Sequence, residues 1–574
     1  MSYWMIEFVI VKNINSKSGF KSSYEFNNGY LLQCEKIDNY IEKEDKKLII
    51  IGDCINFNDF SIEQIGINEI LNSFKGNFYA FLSDGQNLFI TSSAFGLLPI
   101  YYLNDFAVLS SSVKLIKNEV NGKMTENKKW LINQLLFNYQ LGTDTIFQEI
   151  ELFPTMSYLF ISNNEINFNK YYRIRDEFLS QPISWKKALP DLSEKFIRLV
   201  AQYIPDKKAV ISFTGGFDGR TLVSIATHFR KDFTSFSYGK ITNDDVYIPK
   251  ANAEDLGIPY FWLNLNEDYS KLEYFNSAFK FIQKTDGSNG FLYAHVEYLA
   301  TKVKEKGNVL LSGICGSELF RAAHSSGAVT SKALIDLFRL DTFESYRDSV
   351  INLEVLRYLK NEDYNPSINE VLKEAWEFKL DLEKKLDKNK SLYVFVYEEI
   401  FRKFFGPWVK SQMNTVCVRT PYIDFSFFKE IIKTELSGAY SDFLTDNPIK
   451  RYKGQVFYAE VIRKTNKKLF WTKTGKGYSP AIVNKPILRP FLAIPFLSKR
   501  LNRRVIKTDF DNLGIITGIK QSIPFLFNIS HLDIDSELLK DDLVNLHNTD
   551  RESYRDTILM SYSILMYYNY LNNE

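Results

Sequence analysis

Through the first 175 or so positions, apolar residues fall in short blocks closed by turn residues. Lys47–Ile51 is a β-rich run that ends at Gly52-Asp53. Phe78–Leu82, a turn at Ser83-Asp84-Gly85 and then Leu88–Thr91 carry a hairpin signal. Tyr158–Ile161, a turn at Ser162-Asn163-Asn164 and Ile166–Tyr172 carry a second, and Asn127–Tyr139 between them has helical spacing. This pattern predicts an α+β region dominated by antiparallel sheet.

The texture changes after Tyr172. Ser184–Tyr203 is helical in period, and Ala209–Phe213 is a short apolar strand. A Gly-rich turn, a helix over Arg220–Phe229, a strand at Phe233–Tyr238, a helix at Pro249–Leu256, and strands at Tyr260–Leu265 and Val309–Leu311 follow. Strands alternating with helices predict a parallel, doubly wound sheet. From about Lys332 onward the pattern is mostly helical.

Composition narrows the class. The chain has 574 residues, 45% of them hydrophobic and 24% charged, which is a core-forming balance and excludes wholesale disorder. At about 150 residues per domain, at least two domains are expected. Lys and Arg (71) nearly cancel Asp and Glu (69), which argues against a nucleic-acid coat. Four scattered cysteines form no CxxC pair, and five histidines show no metal spacing. The start, Met1-Ser2-Tyr3-Trp4-Met5-Ile6-Glu7, lacks the basic region of a signal peptide. No run of about 18 apolar residues is present. The longest, Ile487–Leu497, is broken by Arg489, Pro490 and Pro495. A cytoplasmic protein without a transmembrane segment is expected.

The sharpest local feature is Val210-Ile211-Ser212-Phe213-Thr214-Gly215-Gly216-Phe217-Asp218-Gly219-Arg220. A strand runs into two glycines and then a helix, a turn that lets backbone amides approach an anion such as phosphate. Asp218 is placed to hold a magnesium ion bridging phosphates. There is no GxxxxGK[ST] string, so this is not a Walker loop. A tight turn with no ligand is the plain alternative.

That string resembles the SGGxDS pyrophosphatase loop of the glutamine-hydrolysing asparagine synthetase family. Five further segments are similar to the family's motifs, in family order: Phe95-Gly96 through Tyr102, Thr145-Ile146-Phe147 through Tyr172, Leu311-Ser312-Gly313 through Phe320, Val418-Arg419 through Asp424, and Trp471 through Pro480. Phe236–Gly239 resembles the strand against which the family lays adenine. The resemblance implies residues 1–175 as a class II amidotransferase-like domain with an N-terminal-nucleophile-type sandwich. It implies residues 185–574 as an α/β adenine-nucleotide α-hydrolase-like (PP-loop) synthetase domain with a helical C-terminal extension.

Carried over residue by residue, the resemblance implies ATP and Mg2+ as cofactors. Phe213, Tyr238, Ser312 and Gly313 are then expected at the nucleotide, with Thr214, Gly215, Gly216, Gly219 and Arg220 at its phosphates. Asp218 and Glu318 are expected at the metal, and Lys473 at the charge that develops as pyrophosphate leaves. The expected reaction is adenylation of a carboxylate, on a small molecule, peptide or glycan, followed by attack of an amine or ammonia. A homodimer is a possible assembly.

Four departures shape that expectation. The family's amidotransferase half begins with an exposed Cys, whereas Ser2 follows Met1 here, and no glutamine-binding string is recognisable near Gly52–Asn56. That half is expected to be an inactive relic. The Glu of the family's SGEG string is Ile314, and the Asp of GxDE is Ser317, with Glu318 as the expected replacement. The final pair of the pyrophosphatase loop is Gly219-Arg220, which adds a guanidinium suited to phosphate. These changes favour a specialised amide-forming ligase over asparagine synthesis itself, with a catalytically silent nucleotide-binding partner protein as the reading from another class. His295 and His324 are candidates for the base missing at Ile314, beside the plainer reading of packed or surface histidines. Lys499, Arg500, Arg503, Arg504 and Lys507 form a basic cluster, read as a solvated face or an anion-binding one.

Overall fold

The computed structural model describes residues 6–12, 18–120, 122–321, 331–360, 364–441, 452–494, 513–526, 533–546 and 552–572. Ser2, His324 and the basic cluster from Lys499 to Lys507 lie outside the described residues.

The first half is built of two six-stranded antiparallel sheets. One follows the order β10-β8-β9-β1-β3-β2, from β1 (Phe8–Lys12), β2 (Ser22–Glu25), β3 (Tyr30–Cys34), β8 (Tyr101–Leu103), β9 (Val108–Ser110) and β10 (Ile150–Leu152). The other follows β12-β11-β7-β6-β5-β4, from β4 (Asn39–Lys43), β5 (Lys46–Cys54), β6 (Gly76–Asp84), β7 (Asn87–Ser92), β11 (Ser157–Ile161) and β12 (Ile166–Lys170). Phe8 meets Tyr79 and Phe81 edge-on, with ring centroids 4.9 and 5.0 Å apart, so the sheets pack face to face.

The continuous run Leu48–Ile51 is explained by burial on both faces. Ile49 and Ile51 join the core between the sheets, while Leu48 and Ile50 pack with Phe57, Ile70 and Phe74 behind the second sheet. Both expected hairpins form, as β6–β7 and β11–β12. The expected helix is α1 (Lys128–Phe137), capped by the Asn127 side chain and ended by Asn138 in the left-handed region.

The second half holds a five-stranded parallel sheet in the order β15-β14-β13-β16-β17, made of β13 (Ala209–Ser212), β14 (Phe233–Tyr238), β15 (Tyr260–Leu263), β16 (Val309–Leu311) and β17 (Cys417–Arg419). The chain winds outward from β13 through β14 to β15, then returns to place β16 on the other side of β13. The winding therefore reverses between β13 and β16. Open α/β sheets bind ligands at such a reversal, outside the carboxyl ends of the strands. The helices that matter here are α2 (Asp218–His228), α3 (Asp244–Leu256), α4 (Gly316–Phe320) and α5 (Lys453–Thr465). Among the described residues no helix is long and apolar enough to cross a membrane.

The halves meet through both apolar and ionic contacts. Phe95 packs against Phe401, Phe425 and Phe428. Arg419 of β17 donates to both Asp53 carboxylate oxygens at 2.7 and 3.1 Å, and Asn77 Nδ2 donates to the Val418 carbonyl at 2.8 Å.

Candidate functional site

Two loops leave the sheet at the reversal point, one after β13 and one after β16, and Asp218 joins them. It opens α2, and its carboxylate accepts hydrogen bonds from Ser317 Oγ at 2.9 Å and from the Tyr458 hydroxyl of α5. Its backbone carbonyl accepts from the Tyr422 hydroxyl at 2.9 Å. A Cβ on Gly313 would lie 2.8 Å from Asp218 Cβ, and one on Gly316 would lie 2.7 Å from Asp218 Oδ1. Only glycine lets the β16 loop approach this closely. Four chain segments therefore converge on one residue.

The glycine turn itself is tightly hemmed. A Cβ on Gly215 would lie 2.8 Å from the Asp244 carbonyl, and one on Gly219 would lie 2.3 Å from the Ser212 carbonyl. Thr214 Oγ1 accepts from the Gly216 amide at 3.3 Å. The Gly215 amide donates to the Asp245 carboxylate at 3.0 Å, so an anion already sits on one expected phosphate donor. The loop that carries Lys473 closes the other side, with the Gly475 amide donating to the Gly215 carbonyl at 2.9 Å. Lys473 is exposed and makes no ion pair among the described residues.

Arg220 has other partners than the phosphates expected of it. The side chain is wholly buried and donates to the carbonyls of Leu469, Thr472 and Lys473, the last at 2.9 Å. Burial brings its pKa down to about 10. It fixes the Lys473 loop to α2. Its side-chain direction was set by that loop, which sequence position alone does not reveal.

The nucleoside end of the expected site is walled by strand termini. Phe213 is buried, its amide bonded to the Phe236 carbonyl at 2.7 Å. Tyr238 ends β14 with its ring 5.5 Å from that of His295. The Ser312 amide donates to the Arg419 carbonyl at 3.0 Å, and its Oγ accepts from the Ile314 amide at 3.3 Å. His295 is 3% exposed among Tyr238, Tyr293 and Trp408, and burial pulls its pKa from 6.5 to about 4. It is a packed neutral imidazole.

Glu318 is buried beside the site; burial raises the pKa values of Cys315 and Tyr397, and the Glu318 charge adds to the rise at both. The α4 side chain that reaches Asp218 is Ser317, one residue earlier. Adjacent helical positions do not share a face. Among the described residues no group of three or more His, Cys, Asp or Glu is arranged to hold a metal. The donors around Asp218 are one carboxylate and two hydroxyls. That set fits a magnesium ion that arrives on phosphates, since magnesium keeps to one or two carboxylates plus substrate oxygens, and does not fit an ion held by protein alone.

Sequence reasoning missed Tyr458 and Arg321, whose Nη2 donates to Ser317 Oγ. Tyr422 stood inside a quoted motif without a role, whereas Tyr458 carries no local signal. A separate cavity of about 90 Å3 lies at the seam of the halves, lined by residues including Trp130, Asp286, Arg402 and Lys403 and by none of the Asp218 cluster.

No family model matches the chain, and no curated protein matches it. A solved glutamine phosphoribosylpyrophosphate (PRPP) amidotransferase from B. subtilis, complexed with ADP and GMP, is similar at 11% identity with a TM-score of 0.18. The match covers 45% of this chain and 60% of that one. A likeness at that level bears neither on the fold nor on the site.

Proposed function

We propose that the protein is an ATP-dependent ligase that adenylates a carboxylate and passes the acyl group to an amine or ammonia. The observation that carries this reading is the convergence at Asp218. The glycine turn, the β16 loop and the Lys473 loop meet where the parallel sheet reverses, and they carry the asparagine synthetase-like motifs in that order. The first domain is then an N-terminal-nucleophile-type sandwich without glutaminase activity, and the second a PP-loop synthetase.

In the first step a carboxylate oxygen bonds to the α-phosphorus of ATP, and the bond from that phosphorus to the β-bridging oxygen breaks. Pyrophosphate leaves with the electron pair. In the second step the amine nitrogen bonds to the acyl carbon, loses a proton, and AMP departs. The amides of the Gly215-Gly216 turn and the start of α2 bind the phosphates, and Lys473 neutralises charge as pyrophosphate forms. Asp218 would hold a magnesium ion brought by the nucleotide, which would supply positive charge to offset that of the phosphates.

The silent-partner reading draws on Ile314 and Ser317, which stand where the resemblance expects acidic residues, and on the Asp245 carboxylate at the Gly215 amide. Exchange of labelled pyrophosphate into ATP, driven by a panel of amino-acid, peptide and glycan carboxylates, separates the two. The ligase reading expects carboxylate-dependent exchange that falls at least 100-fold in Lys473→Ala while ATP still binds. No exchange with any carboxylate, despite ATP binding, favours the silent partner.

A further inference from the structure

We infer that Arg321 is a phosphate-binding residue of this site, a fixed cation that does part of the work otherwise left to metal. The inference rests on the nucleotide-binding part of the reading above and goes beyond it, since no motif contains Arg321. The residue follows α4, and its Nη2 donates to Ser317 Oγ, the same hydroxyl that donates to Asp218 Oδ2 at 2.9 Å. The guanidinium is thus one hydroxyl away from the carboxylate at the mouth of the glycine turn.

Three independent features point to a ligand for it. Its Nε is buried without a hydrogen-bond partner, a costly state that an arriving acceptor relieves. Burial raises the pKa values of Tyr458 and Tyr478, and the Arg321 charge opposes that rise at both; the first is bonded to Asp218 and the second lies on the Lys473 loop, so its field reaches both segments. Its stem occupies room that only glycine provides, because a Cβ on Gly454 would lie 2.4 Å from Arg321 Cγ. Gly454 sits in the first turn of α5, and the same Cβ would also lie 2.6 Å from the Phe320 carbonyl, so the glycine admits both the backbone and the arginine stem.

A guanidinium offers parallel donors to two phosphate oxygens, carries its charge permanently and needs no deprotonated ligand. Ser317 supplies no charge to hold a second cation. Instead it accepts a hydrogen bond from Arg321 and donates one to Asp218, which couples the guanidinium to the carboxylate. Arg321 and Lys473 then flank the phosphates from opposite loops. The ligand class is a polyphosphate chain, with pyrophosphate as its smallest form.

The test is calorimetric binding of inorganic pyrophosphate, and of ATP, with EDTA and with magnesium. The natural protein should bind pyrophosphate in EDTA within tenfold of its affinity in magnesium. Arg321→Gln should lose at least tenfold in EDTA and much less in magnesium. Arg321→Lys, which keeps a charge without the fork and serves if the glutamine variant does not fold, should fall between. Equal metal-free binding by natural and variant proteins would overturn the inference. So would a natural protein that binds Mg-ATP but no metal-free pyrophosphate, an outcome that leaves the ligase reading standing. Absence of binding with and without magnesium removes both.

Discussion

Asp245 holds the backbone amide that an incoming phosphate needs. The Gly215 N–H to Asp245 contact is 3.0 Å long, and a phosphate taking that donor must displace a carboxylate of its own charge sign. Removing the competitor is worth about 1 kcal/mol, roughly fivefold in affinity, by the net value of such a bond. Asp245→Ala is therefore expected to bind ATP more tightly, measured by calorimetry. Weaker binding would mean that the carboxylate positions the turn instead of competing for it. Arg220 shows the same dependence on long-range partners. Its residue type suggested phosphate, but three carbonyls from residues 469–473 claim the guanidinium.

Among elements, the joint between β5 and β17 is the most economical to probe. Asp53 and Arg419 are each little exposed, with side chains at 13% and 12%, and Arg419 also donates to the Tyr203 carbonyl at 2.8 Å. Asp53→Ala leaves a poorly solvated guanidinium without its counter-charge and should cost about 2–3 kcal/mol in chemical denaturation. A loss below about 0.5 kcal/mol would show that the pair behaves as an exposed surface bridge.

Strands β13 to β16 were legible in the sequence because each is an apolar run bounded by turn residues. Strand β17 was not, because three residues between a helix and Pro421 carry no period. The convergence on Asp218 was legible only as motifs in order. Their meeting depends on Gly313, Gly316 and Tyr458, whose contacts are set by packing. Arg321 was invisible for a related reason, since it follows the quoted motif and its role comes from a hydroxyl relay through Ser317.

At the scale of the whole molecule, His295 gives stability a pH dependence of known sign. Its folded pKa, about 4, lies below the ordinary 6.5. Between those values the unfolded chain takes up a proton that the folded one refuses, so stability falls as pH drops from 6.5 toward 4. The full effect is about 3 kcal/mol by pH 4. Tyr238 and Tyr293, which face the imidazole, have pKa values raised by burial and do not titrate in this window. His295→Phe keeps an aromatic ring in the stack and should flatten the acid limb of a stability profile followed by urea unfolding. An unchanged limb would assign the acid sensitivity to other groups.

The central claim is that phosphates sit on the turn from Thr214 to Asp218, where the parallel sheet reverses. Calorimetric titration of Mg-ATP into the natural protein and into Asp218→Ala tests it most directly, with thermal unfolding as a parallel readout. Ligand at 100 times its dissociation constant adds about 2.7 kcal/mol of stability. The account predicts one binding site per chain, weakened at least tenfold by Asp218→Ala. Binding of equal strength in both proteins, or none in the natural one at millimolar ATP, would contradict it.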